Sequence, residues 1–209
     1  MIRISIFDDM SLCTDAEVER MLPLVPEPRR SEALRYRHTF GRFACLKSYL
    51  ILAGLLRTGF GIEEFRMEVG EHGKPFLPDY PDIHFNISHC RQAVAVAVSD
   101  RPVGIDVESF RHFGDGLLDK AMNGSEKAQI LASAAPEEAF AAFWTRKEAV
   151  FKLIGTGITD DLHGILSDRT STDTAINREK GYAVSVAVFS QANCGNPQVL
   201  SSGWPQSFR

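Results

Sequence analysis

Val103-Gly104-Ile105-Asp106-Val107-Glu108 is the stretch whose reading decides the fold. Successive side chains of a β-strand point to opposite faces. Ile105 and Val107 therefore belong to a core, and Asp106 and Glu108 share the other face. Two adjacent carboxylates repel each other. They are tolerated at a solvated strand end or where a cation neutralises them, and this stretch alone leaves both readings open. His84 to Ser88 also alternates, and Ala93 to Val98 is apolar and rich in small residues. With Val103–Glu108 they read as three strands joined by short turns, which predicts one antiparallel sheet.

Downstream, 136–154 reads as a long helix. Pro136, Glu137 and Glu138 suit its first turn, and Gly155 and Gly157 suit its end. Trp144, Glu148 and Lys152 are spaced four apart and share a face. Taken alone, Glu148 and Lys152 make an ordinary helix-surface ion pair. Shorter helices are expected over 117–122 and 125–133, and strands over 163–167 and 182–189. The stretch from Gln191 onward is polar and turn-rich, with a possible terminal strand. Upstream, 1–7 alternates as a strand, 15–22 suits a helix capped by Thr14, and Pro23, Pro26 and Pro28 break the chain. Helical periodicity runs from Gly41 to Leu56, followed by a short strand at 65–69 and a loop at 70–81. The class is α+β: two α+β halves, 1–103 and 104–209, with no low-complexity linker between them.

Composition sets outer limits. The chain has 209 residues, of which 44% are hydrophobic, enough for a sizeable core. A net charge of -4 speaks against a general nucleic-acid binder. Cys13, Cys45, Cys90 and Cys194 form no CxxC pair, zinc spacing or disulfide framework. The opening residues do not read as a signal peptide, and the apolar run from Tyr49 to Leu56 is too short to cross a bilayer. A cytoplasmic protein without a membrane or nucleic-acid partner is expected. Between residues 29 and 47, Arg29, Arg30, Arg35, Arg37, Arg42 and Lys47 stand against Glu32 alone. That is either a solvated basic face or a patch that receives a polyanion.

Glu148 adds a third carboxylate to Asp106 and Glu108. Three carboxylates without a matching His or Cys set suit a hard cation such as Mg²⁺, which relies on substrate phosphates to complete its shell. Such a site predicts a phosphate-bearing substrate. Lys74, His89, Lys147, Lys152 and the arginines of 29–42 could then balance phosphate charge. No P-loop, GxGxxG, HExxH or GxSxG pattern is present.

Four segments in this order resemble the 4′-phosphopantetheinyl transferase superfamily of the surfactin-synthetase-activator (Sfp) type. They are Gly73-Lys74-Pro75, Phe85-Asn86-Ile87-Ser88-His89, Gly104-Ile105-Asp106-Val107-Glu108, and Trp144-x-x-Lys147-Glu148-Ala149-x-x-Lys152-x-x-Gly155-x-Gly157. A looser match covers the basic region with Arg42. The resemblance implies two similar halves packed as a pseudo-dimer, with a coenzyme A cleft between them. The implied reaction is Mg²⁺-dependent transfer of 4′-phosphopantetheine to a serine of an apo acyl or peptidyl carrier protein, releasing 3′,5′-ADP.

By residue match, Asp106, Glu108 and Glu148 would hold Mg²⁺, and Lys152 would contact the phosphates and assist the leaving group. Lys74 and Pro75 would line the adenine end. Ser88 and His89 would meet phosphate groups, with Arg29, Arg30 and Arg42 as looser candidates. Glu148, or a water it orients, would take the serine proton, and Glu126 is a second candidate base. Trp144 and Phe151 would pack the helix against the strand of Asp106. Both cleft walls coming from one chain makes a monomer sufficient. Glu32 and Phe43 depart from the family pattern, as does Met122-Asn123-Gly124, which bears on carrier contact. Two other readings are a catalytically silent coenzyme A- or carrier-binding protein on the same fold, and a metal-dependent nuclease, which the net acidity disfavours.

Overall fold

The computed structural model describes residues 1–71, 73–155 and 162–190. Eight strands and six α-helices follow in the order β1 (Ile2–Phe7), α1 (Asp15–Met21), α2 (Glu27–Leu34), α3 (Thr39–Phe60), β2 (Glu68–Val69), β3 (Pro75–Phe76), β4 (His84–His89), β5 (Val94–Ser99), β6 (Gly104–Ser109), α4 (Asp115–Ala121), α5 (Gly124–Ala132), α6 (Pro136–Ile154), β7 (Thr170–Asn177) and β8 (Tyr182–Phe189) among the described residues. The α+β class stands. Gly157, His72, Cys194 and the stretch from Gln191 lie outside the described residues.

Local rules account for most boundaries. Thr14 accepts the Glu17 N–H at the start of α1. Gly61 and Gly155 end α3 and α6 in the left-handed conformation, at φ 69° and 78°. Pro28 does not break the chain but sits in the first turn of α2, where its missing N–H costs nothing. α2 itself is invisible to the periodicity argument. α3, with 22 residues and a hydropathy of 1.3, has the length and composition of a membrane span. Here it lies against β5 and α2.

Two three-stranded antiparallel sheets carry the fold, ordered β1-β5-β4 and β6-β8-β7. This corrects the single sheet expected over 84–108. β4 and β5 do pair, with Asn86 opposite Ala97. The other flank of β5 is taken by β1, with Ile4 opposite Ala97, so β6 has no free ladder there and pairs with β8 instead. Only a third strand returning from the far end of the chain could displace it, and local spacing does not reveal that.

The alternation of β5 is used on both faces. Ala95 and Ala97 meet Ile105, Val107, Val184 and Val186 from the second sheet, whereas Val96 and Val98 face Leu52 and Leu56 of α3. Each fully buried Val, Ile or Leu contributes about 1.5–3 kcal/mol. On the far side of the second sheet, Ala149, Val150 and Leu153 of α6 pack on Ala187 of β8. Trp144 and Phe151 do not face β6. They join Phe140, Leu118 and Met122 beneath α4 and α5, with Trp144 stacked on Phe140 at 5.9 Å.

No strand forms at 163–167. Side chains take two carbonyls at the start of this stretch: Lys147 Nζ donates to Leu162 O at 2.7 Å and Asn123 Nδ2 to His163 O at 3.3 Å. The strand expected at this point begins instead at Thr170.

Candidate active site

β6 brings Asp106 and Glu108, α6 brings Glu148 and Lys152, and β4 brings Ser88 and His89. Gly104 lets these elements close. A Cβ at that position would stand 2.0 Å from Ala149 O and 2.6 Å from Leu153 N. Only hydrogen fits between β6 and the helix turn that separates Glu148 from Lys152.

The centre is a short hydrogen-bonded cluster. Lys152 Nζ donates to Asp106 Oδ1 at 2.7 Å and to Ser88 Oγ at 2.9 Å. Ser88 Oγ in turn donates to Asp106 Oδ1 at 2.8 Å and accepts the Val107 N–H at 3.2 Å. Asp106 is 6% exposed. Its Oδ2 and Glu148 Oε1 are both buried without a hydrogen-bond partner among the described residues.

The carboxylates feel one another. Burial, then the charge of Asp106, raises the Glu148 pKa; Lys152 opposes this and Glu108 adds to it. Burial also raises that of Glu108, opposed first by Arg111, with Asp106 adding and Lys152 opposing. The Glu148 side chain therefore stands within the field of both other acids.

The remaining candidates divide. Lys74 reaches the same helix end, donating to Lys152 O at 2.6 Å and Leu153 O at 3.2 Å, the carbonyls that a helix terminus leaves open. Burial lowers its pKa. Lys74 and Pro75 also line a cavity of about 460 Å³, walled by Leu77, Phe85, Leu153 and Phe189. His89 stands edge-on to Phe40 at 5.6 Å. It keeps a solvent-facing side, but partial burial, then the charge of Lys152, lowers its pKa.

Arg29 and Arg30 do not join the cluster. Arg29 donates to Cys45 O at 2.7 Å, Ser48 Oγ at 3.0 Å and Glu32 Oε2 at 2.8 Å. Arg30 donates to Leu22 O and Val25 O at 3.1 and 3.2 Å. Both guanidinium groups hold loop and helix carbonyls in place, and a phosphate would have to displace those bonds. Arg42 gives its Nε–H to Tyr36 O at 2.9 Å.

Lys147 and Glu126 are likewise withdrawn from the chemistry. Lys147 is fully buried and pairs with Glu126 Oε2 at 2.7 Å. The same oxygen accepts the Asn123 N–H at 2.8 Å, completing a capping box. Lys147 is thus no phosphate contact and Glu126 no free base. The Asn123-x-x-Glu126 spacing was the available signal for this role.

The acids fit a hard divalent cation by their donor chemistry. Two buried carboxylate oxygens without donors are costly, and an ion that takes oxygen ligands removes that cost. Among the described residues, no three His, Cys, Asp or Glu groups are drawn together closely enough to enclose a metal. The fit therefore rests on the unpartnered oxygens of Asp106 and Glu148, with Glu108 beside them.

The sequence model of the 4′-phosphopantetheinyl transferase superfamily matches residues 102–200. The chain is 29% identical over 147 residues to the 4′-phosphopantetheinyl transferase psf-1 of Bacillus pumilus, covering 68% of this chain and 63% of that one. It is 27% identical to the 4′-phosphopantetheinyl transferase Sfp of Bacillus subtilis (strain 168), covering 68% and 66%. A longer match, 26% identical over 210 residues, covers 88% of this chain and 80% of the 4′-phosphopantetheinyl transferase pptA of Paxillus involutus. The chain thus spans just under two thirds of the length of the two bacterial relatives.

Proposed function

From the match of residues 102–200 to the sequence model of the 4′-phosphopantetheinyl transferase superfamily, we propose that this chain belongs to it and transfers the 4′-phosphopantetheine group of coenzyme A to a serine of an apo acyl or peptidyl carrier protein. The observation that carries the proposal is the pair of buried, partnerless oxygens on Asp106 and Glu148, set beside the ammonium of Lys152. Unsatisfied acids next to a cation suit a site that receives a metal-bound diphosphate.

In this reading the boundary between two α+β halves falls at Val103–Gly104, the halves form a pseudo-dimer within one chain, and coenzyme A lies in the cleft between them. A monomer in the cytoplasm is then sufficient. The cavity beside Lys74 and Pro75 takes the adenine end, and His89 and Arg42 meet phosphate. Asp106, Glu108 and Glu148 would hold Mg²⁺, which when bound would neutralise and orient the diphosphate.

The hydroxyl oxygen of the carrier serine attacks the phosphorus that bears the pantetheine arm. The bond from that phosphorus to the bridging oxygen breaks, and 3′,5′-ADP leaves with the electron pair. Glu148, directly or through a water it orients, takes the serine proton. Lys152 stabilises negative charge on the leaving group.

The test is incubation with coenzyme A, Mg²⁺ and a panel of apo carrier proteins, read by mass spectrometry. One phosphopantetheine is gained per carrier serine. No gain on any carrier, with coenzyme A still bound in a metal-dependent way, would instead identify a silent binding protein on this fold. Glu148→Gln is expected to lower transfer by about 10²–10⁴-fold while calorimetry still registers coenzyme A binding. Unchanged turnover would remove Glu148 from the mechanism.

A further inference from the structure

Among the described residues β6 is an edge strand of the second sheet, with β8 as its ladder neighbour. The N–H groups of Ile105 and Val107 leave that ladder and meet side chains instead. Ile105 N–H donates to Asn86 Oδ1 at 2.9 Å, and Val107 N–H donates to Ser88 Oγ at 3.2 Å. Asn86 and Ser88 are two residues apart on β4, the edge strand of the first sheet, so they project from one face. Both bonds advance in the same direction along the two strands, which makes β4 and β6 parallel neighbours joined by side chains where a backbone ladder would otherwise run.

The joint lies in the core. Ile105 and Val107 are 0% and 1% exposed, and Asn86 is 5% exposed, so losing either acceptor buries a donor without a partner. Asp106 lies between the two pinned peptide groups, and its Oδ1 is bound in turn by Ser88 and Lys152.

We propose that Asn86 is a positioning residue for the transfer reaction. It fixes the β6 main chain on the amino side of Asp106, as Ser88 does on the carboxyl side. The pair sets where the Asp106 carboxylate stands relative to Glu148 and Lys152. Asn86 acts through the Ile105 peptide and touches no reacting atom. An apolar residue of similar size could fill the volume but could not accept the N–H, so the requirement at this position is for an acceptor. The proposal rests on the transferase reading for its effect on rate, but the joint itself can be tested without it.

The experiment compares Asn86→Ala and Asn86→Asp with the parent by amide-resolved hydrogen exchange and by steady-state transfer. Asn86→Ala is expected to speed exchange at Ile105 at least about tenfold, as a buried amide loses its acceptor, while Val98 in β5 keeps its protection. Its kcat is expected to fall roughly 10²-fold, the effect of a displacement of about an ångström, with KM for coenzyme A nearly unchanged. Asn86→Asp keeps an acceptor oxygen and is expected to restore Ile105 protection and most of kcat. Slow Ile105 exchange in Asn86→Ala, or parental kcat despite fast exchange, overturns the proposal. If Asn86→Ala does not fold, Asn86→Asp decides: a protected Ile105 supports the joint, and an unprotected one refutes it. A parent protein inactive on every carrier refutes the transferase reading, and Ile105 exchange then still decides the joint.

Discussion

Replacing Gly104 with alanine tests whether close approach of α6 to β6 builds the site. The added Cβ would lie 2.0 Å from Ala149 O, 2.6 Å from Leu153 N and 3.0 Å from Ala149 C. All three neighbours are backbone of one helix, so no side chain can rotate away. Ordinary contact begins near 3.4 Å, which obliges α6 to retreat by more than an ångström. Overpacking of this kind costs about 1–3 kcal/mol, and for a chain of this length each kcal/mol lowers Tm by about 2–4 °C. A fall of roughly 2–12 °C is expected.

The effect on rate should be larger in proportion, because Glu148 and Lys152 ride on the displaced turn. A misplacement of about 1 Å costs about 10²-fold in turnover. Gly54→Ala supplies the comparison: it lies within α3 with nothing inside 4 Å of its added Cβ, and should stabilise by about 0.5–1 kcal/mol. Thermal denaturation and the carrier assay read both variants. Parental Tm and kcat in Gly104→Ala would refute the reasoning, since the helix would then have absorbed the methyl without moving the acids.

Two more expectations follow from the buried charges. Lys147→Met leaves Glu126 buried without its cation and should cost about 3–5 kcal/mol by chemical denaturation, whereas Glu126→Gln with Lys147→Met should recover much of the loss, because glutamine still completes the capping box. A single variant that unfolds at the parental denaturant concentration would show that the pair carries little. Mg²⁺ should raise Tm in the parent and much less in Asp106→Asn. At a hundredfold excess over Kd, the stabilisation is about 2.7 kcal/mol, or roughly 5–10 °C. Differential scanning calorimetry with and without a chelator measures it, and equal shifts in both proteins would move the ion away from Asp106.

How far the sequence reaches depends on whether the information is local. The alternation of 104–108, Thr14 before Asp15 and Pro136 before Glu137 are read within one turn or one strand, and the structure agrees at each. The Glu148–Lys152 spacing similarly anticipated two side chains on one helix face, although the cation pairs with Asp106. Partnership was less legible. Trp144 faces the α4–α5 layer, Lys147 is sealed against Glu126, and the basic face of 29–30 holds carbonyls, because charge and size alone do not say which neighbour a side chain will meet.

The sequence by itself determined the strand and helix periods, the pairing of acids on one face of β6, and through its four motifs the resemblance to a family. Only the tertiary structure decided that β6 leaves the first sheet for β8, that Asn86 and Ser88 pin the peptides on either side of Asp106, and that Gly104 admits the α6 backbone. The physical reason is range. Periodicity and capping act over a few residues, whereas an edge N–H finds its acceptor 19 positions away in Asn86, and a carboxylate meets its cation 46 positions away in Lys152. Those distances in sequence are closed only when two sheets and a helix pack.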